Sequence, residues 1–111
     1  MIKIKSNKIL LHGKELHFNN KIMEAAEYDG KVVIVFETND DSGYDNVFCY
    51  TLDLQLLWRI KQVPVSIGGT VRSPYVGVDI IDGDCRVIDF YGRRFRVNIE
   101  NGEIISKDIV R

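Results

Sequence analysis

Cysteine, histidine and proline are almost missing from this chain, and each scarcity excludes something. The two cysteines, Cys49 and Cys85, fall inside apolar runs rather than in a Cys-rich framework. They build no disulfide scaffold and are expected to be reduced and partly buried. The two histidines, His12 and His17, have no paired-ligand spacing with the cysteines, so no zinc site is expected. General acid–base chemistry needs a fixed geometry that nothing around these histidines supplies, and they read as surface or edge-strand residues. Both prolines, Pro64 and Pro74, lie in one stretch. No apolar run approaches the roughly 18 residues of a membrane span. The N-terminal MIKIKSNKILLHGKEL is broken by charges every few residues and lacks the apolar core and cleavage site of a secretory signal. A cytoplasmic compartment and no membrane contact are expected. Net charge is −1, which leaves no electrostatic footprint for nucleic acid.

What is present is β structure. Val, Ile, Phe and Tyr fill short runs separated by Asp-Gly and Asn-Gly. Such pairs supply the positive φ of tight hairpin turns. Strands are expected near Ile2–Lys5, Lys8–His12, Leu16–Phe18, Ile22–Tyr28, Val32–Phe36, Val47–Leu52 and Leu56–Ile60. Beyond the linker, Tyr75–Ile81, Cys85–Phe90, Arg94–Ile99 and Ile104–Val110 read as an up-and-down meander. Lys61–Pro74, with both prolines and Gly68-Gly69, reads as a linker with at most one irregular strand.

The two halves repeat. Tyr28-Asp29-Gly30-Lys31 corresponds to Ile81-Asp82-Gly83-Asp84, and Phe48–Asp53 to Phe95–Glu100. Leu57-Trp58 then aligns with Ile104-Ile105. Four antiparallel strands recurring in this way are the size of a propeller blade, and two are too few to close a ring. The expected fold is all-β: one domain of two antiparallel four-stranded blade-like units, residues 22–60 and 75–110. They form a half-propeller or sandwich, joined by linker 61–74, with the N-terminal strands closing an edge. Trp58 is expected in the core with Phe36, Phe48 and Val78, or else exposed on a partner surface.

The segment from Asn46 to Arg59 resembles the quinoprotein-type propeller repeat, in which a strand ending in an acidic residue is followed by a turn and an aliphatic–Trp pair. Phe95–Ile105 resembles a second copy without the Trp. The resemblance implies blade geometry and no quinone, because quinone binding needs a closed ring. Leu54-Gln55 stands where that repeat carries a Gly turn. In size, pattern and lack of a catalytic constellation, the chain also resembles immunity proteins of bacterial contact-dependent inhibition systems. That resemblance implies a non-enzymatic protein that neutralises a cognate toxin by covering its active site, with no cofactor or metal.

Two surfaces stand out. Between Lys31 and Arg59 there is no Lys or Arg, while Glu37, Asp40, Asp41, Asp45 and Asp53 fall there. Four of these carboxylates share the loop Glu37–Asn46 with Tyr44. Clustered carboxylates steer a basic partner and Tyr44 offers an anchor, so Glu37, Asp40, Asp41, Tyr44, Asp45 and Asp53 form the expected partner-binding set. A solvated loop explains the same residues. Its Asn39–Asp45 stretch is rich in oxygen ligands but lacks EF-hand spacing. The second surface is Arg86, Arg93, Arg94 and Arg96, an alternative phosphate or RNA site with Phe90 and Tyr91 as stacking groups. Ion pairs with Asp84 and Asp89 explain those arginines equally. A carbohydrate or small-ligand module is a third reading, for which the aromatics are too scattered to nominate a site.

Overall fold

The computed structural model describes residues 2–38 and 43–108. Its described residues form eleven strands and the short helix α1 (Val65–Gly68), an all-β architecture. Among the described residues, no helix is long and apolar enough to cross a membrane. Three antiparallel sheets follow one another along the chain. The first holds β1 (Ile2–Lys5), β2 (Lys8–Leu11) and β3 (Lys14–His17). The second holds β4 (Ile22–Tyr28), β5 (Lys31–Phe36), β6 (Val47–Thr51) and β7 (Leu56–Arg59). The third holds β8 (Tyr75–Ile81), β9 (Asp84–Asp89), β10 (Arg94–Val97) and β11 (Ile104–Asp108). Strand order is sequential in each sheet.

The two four-stranded meanders form as the turn chemistry predicts. Asp29 and Gly30 have φ of 54° and 74°, and Asp82 and Gly83 have 52° and 81°. Positive φ at both central residues matches the right-handed twist of the flanking strands. The N-terminal strands do not close an edge. They pair among themselves and lie as a third layer over the far face of the second sheet. The reason is β5, whose side chains need two partners. With period two, Val33 and Val35 enter one core with Cys49, Trp58, Val78 and Phe95. Val32, Ile34 and Phe36 enter another with Ile9, Leu11, Ile22 and Tyr50. Only a sheet on each side removes both faces of β5 from water.

Trp58 is 8% exposed and shares the core between the second and third sheets with Val78. Its indole Nε1 donates to Ile99 O at 2.8 Å. Phe36 and Phe48 pack on the opposite face, so the expected four-residue cluster is divided by the sheet itself. The repeat alignment also shifts by one near its end. Thr51 N donates to Gln55 O, whereas Asn98 N donates to Glu103 O, so the second turn is one residue longer. Leu56 pairs with Tyr50 and Ile104 with Val97, each followed by a bulge. Trp58 therefore corresponds to Ser106, not Ile105. Leu54 takes φ 63° where the second turn has Gly102 at 80°.

Gly102 is held there by more than its φ. A Cβ on it would lie 2.6 Å from Trp58 Cε3 and 3.2 Å from the Arg59 carbonyl oxygen. Gly92 has almost the same φ, 82°, with open space around it. Gly92→Ala is expected to cost about 1–2 kcal/mol for the left-handed conformation alone. Gly102→Ala should cost about 1–3 kcal/mol more, because Trp58 must move. Equal losses in urea denaturation would remove the Trp58 contact from this account.

Cys49 and Cys85 are free and buried between the second and third sheets. Burial pushes the Cys49 thiol up to about 11. The Cys85 thiol is pushed up to about 12, first by burial and then by Cys49. Both are protonated at neutral pH, and the thiolate is the nucleophile. Neither is expected to react with iodoacetamide at pH 8 in the native protein, and both should react in denaturant. Mass spectrometry showing native alkylation would contradict this packing.

Candidate binding site

Strand β6 divides the acidic set. Glu37, Tyr44 and Asp45 precede it, whereas Asp53 follows it, about 17 Å away at the strand rise per residue. Asp53 pairs with Lys14 Nζ at 3.0 Å on the opposite rim. Asp40 and Asp41, and most of the oxygen-rich stretch, lie outside the described residues. Asp45 is half-buried and already paired, with Arg72 Nη2 2.7 Å from its Oδ1. Arg72 also sits over the Tyr44 ring at 4.9 Å. Arg59 Nε donates to Asp45 O at 2.7 Å. Tyr44 and Asp45 thus fasten the loop to the 61–74 connection. Glu37 is the described acidic residue of this rim whose carboxylate stays exposed.

Asn46 fixes this rim to the third sheet. It is 4% exposed, and its Nδ2 donates to Phe36 O at 2.6 Å and Tyr75 O at 2.8 Å. Its Oδ1 accepts from Tyr75 N at 2.8 Å. Burial, reinforced by Asp45 and Asp89, holds the Tyr75 phenol well above its ordinary value.

Next to this staple lies the feature that sequence reasoning missed. Phe18, just after β3, meets Phe36 at 4.9 Å and Tyr50 at 5.5 Å between ring centroids. Phe36 meets Phe48 at 5.4 Å, and Arg59 covers Phe48 at 5.2 Å. Together they line a cavity of about 280 Å³, rimmed by Asn19, Asn20, Glu37 and Thr38. The aromatics look scattered along the chain because they come from β5, β6 and the residue just after β3. The signal was available in period two: Phe36, Phe48 and Tyr50 share one face of the β5–β6 pair.

The arginines have structural uses. The register pairs Val33 with Cys49 and Val35 with Val47 in the second sheet. It pairs Arg86 with Arg96 and Ile88 with Arg94 in the third. By the repeat, Val33, Val47 and Cys49, which face the next sheet, become Arg86, Arg94 and Arg96 on the face of the third sheet that no sheet among the described residues covers. Repeat stacks need such polar ends. Arg86 Nε and Arg94 Nε lie 3.1 and 3.3 Å from Asp108 Oδ2, at ion-pair distance but without hydrogen-bond geometry. Arg86 and Arg96 also approach Asp84 at 3.4 and 3.8 Å. Arg93 leaves this group. It binds Asp89 Oδ2 at 2.7 Å and donates to Gly68 O and Val71 O at 2.8 and 2.9 Å. Phe90 and Tyr91 are exposed and meet edge-to-face, with centroids 5.8 Å apart.

The histidines do not meet in one site. His12 occupies the β2–β3 turn at φ 50° and faces Glu27 at 3.7 Å. His17 lies 3.1 Å from Glu15, and that contact, with Lys8, holds the Glu15 carboxyl below its ordinary value. Among the described residues, no three His, Cys, Asp or Glu side chains converge as metal ligands.

Residues 1–109 match the family described as a domain of unknown function, DUF7957. The chain belongs to the DUF7957 family. The match spans all three sheets of this DUF7957 chain, so the family unit includes the N-terminal layer. None of the curated proteins matches it.

Proposed function

We propose that this DUF7957 chain is a non-enzymatic protein-binding module whose binding face is the rim carrying the 37–46 loop. The observation that carries the reading is the aromatic-floored cavity opening beside that loop. A concave apolar patch rimmed by polar groups and set against a long loop is the usual make-up of an interaction site. Glu37, with Asp40 and Asp41 next to it in sequence, gives the rim an acidic character suited to a basic partner. In its most specific form the partner is a nuclease-type toxin whose active site the loop covers, and the chain is an immunity protein acting in the cytoplasm. Resemblance in size and β pattern to contact-dependent-inhibition immunity proteins supports that form. The resemblance to quinoprotein-type repeats is read as blade geometry only.

The test is capture from the native host at low salt, followed by elution over an ionic-strength gradient. A stoichiometric basic protein is expected. The triple change Glu37→Lys, Asp40→Lys, Asp41→Lys should weaken its binding at least tenfold and flatten the salt dependence. Asp45 is left intact because it holds Arg72. Retention of that protein by the triple variant would remove the loop from the reading. RNA as the captured species, lost with Arg94→Glu, would transfer the function to the Arg86–Arg96 face.

A further inference from the structure

We infer that the cavity receives a phenol ring, namely the side chain of a tyrosine on the partner protein. This rests on reading the rim as an interaction face. Three observations lead to it. The first is size: about 280 Å³ is at the lower edge of the ligand-pocket range and has room for an aromatic side chain. The second is the lining. Phe18, Phe36 and Phe48 touch one another edge-to-face at 4.9 to 5.4 Å, and this cluster offers ring edges and faces against which a further ring can pack in the same way.

The third is charge. Among the described residues, the cavity lining has one cation, Arg59, and one carboxylate, Glu37. A partner Lys or Arg would meet Arg59, and a partner carboxylate would meet Glu37. A neutral ring meets neither penalty. Among the described residues, Arg59 Nη1 and Nη2, the Glu37 carboxylate and the Tyr50 hydroxyl take part in no hydrogen bond. A phenol hydroxyl is both donor and acceptor. It can donate to Glu37 and accept from Arg59, which leaves neither group dehydrated and unpaired. Arg59 is held for this by Asp45 O at its Nε, which leaves the outer nitrogens of the fork free.

N-acetyl-tyrosinamide, N-acetyl-phenylalaninamide and N-acetyl-argininamide would be titrated into the full chain and followed by NMR. The tyrosine amide is expected to perturb the Phe18, Phe36 and Phe48 ring signals and to bind about tenfold tighter than the phenylalanine amide, the worth of hydrogen bonds to charged groups. Arg59→Met and Glu37→Gln should shrink that ratio while phenylalanine amide binding persists. No tyrosine preference, tighter binding of the arginine amide, or no binding at all would each overturn the inference. The partner's own behaviour separates the two levels. A captured protein that saturating tyrosine amide does not displace keeps the interaction reading and removes the tyrosine anchor. Tyrosine amide binding with no protein partner overturns both the anchor and the interaction reading.

Discussion

Asn46→Asp is expected to lower stability by about 3–5 kcal/mol at neutral pH, although it changes one atom. The Asn46 amide is a two-way connector between the second and third sheets. Its Nδ2 points at two carbonyl oxygens, Phe36 O and Tyr75 O, at 2.6 and 2.8 Å. A carboxylate oxygen there would face two acceptors in a buried site. The cost combines two lost hydrogen bonds with the repulsion and desolvation of a buried charge. Asn46→Ala should cost about 2–3 kcal/mol, since it leaves the same groups unpaired but adds no charge. The comparison carries a pH signature. The introduced carboxyl has a folded pKa raised above its unfolded value of about 3.9. The folded variant then binds more protons than the unfolded one, and stability falls as pH rises. The aspartate variant should approach the alanine variant below about pH 4. The gap should widen above that value and level off once the folded carboxyl also ionises. Urea denaturation from pH 4 to 8 measures it. A gap independent of pH would show that the amide does not face the two carbonyls.

Asp89→Ala should be similarly costly, at about 3–5 kcal/mol, because it strands a buried partner. Asp89 is 1% exposed, and its Oδ1 accepts from the backbone N–H groups of Tyr91 and Arg93 at 3.0 and 2.8 Å. Its Oδ2 takes Arg93 Nε at 2.7 Å. One carboxylate thus closes the β9–β10 turn and orients the guanidinium that holds Gly68 and Val71. The loss should therefore have a local readout as well. Trypsin should cut after Arg72 in the variant under conditions where the wild type resists. Asp89→Ala combined with Arg93→Ala should cost clearly less than the sum of the two single changes. Strict additivity would mean that the pair does not act as one unit.

The strands and hairpin turns were legible because period-two runs and Asp-Gly pairs are local signals. The stretch Lys61–Pro74 holds α1, where the sequence offers an irregular strand as the alternative to a linker. The third layer was not legible, because the Ile-Lys alternation of Ile2–Lys5 shows a half-buried strand without naming the sheet it covers. The clue lay elsewhere, in Val32–Phe36, whose unbroken apolar run requires cover on two sides. The candidate site was half legible. The long loop stood out by charge and length, but its unpaired appearance in sequence hid Arg72, which arrives from the linker 27 residues beyond Asp45. The aromatic cavity depends on bringing Phe18, just after β3, onto the β5–β6 face, which no local pattern encodes. Arg93 and Arg94 are neighbours in sequence, yet one locks the 61–74 connection and the other pairs with Asp108 on the face of the third sheet away from the second.

The double burial of β5 has a consequence for how the protein fails. Val32–Phe36 is uncharged, free of proline and β-branched at four of five positions, the composition of a steric-zipper segment. In the native state it is hydrogen-bonded to β4 and β6, Val32–Val35 are fully buried, and only Phe36, at the cavity, meets solvent at 7% exposure. Fraying of the first or third sheet uncovers one face at most and leaves both strand partners in place. Self-association through this segment therefore requires global unfolding. Its amide protons should be among the last to exchange, and fibril formation should follow the unfolded population rather than any partly opened native form.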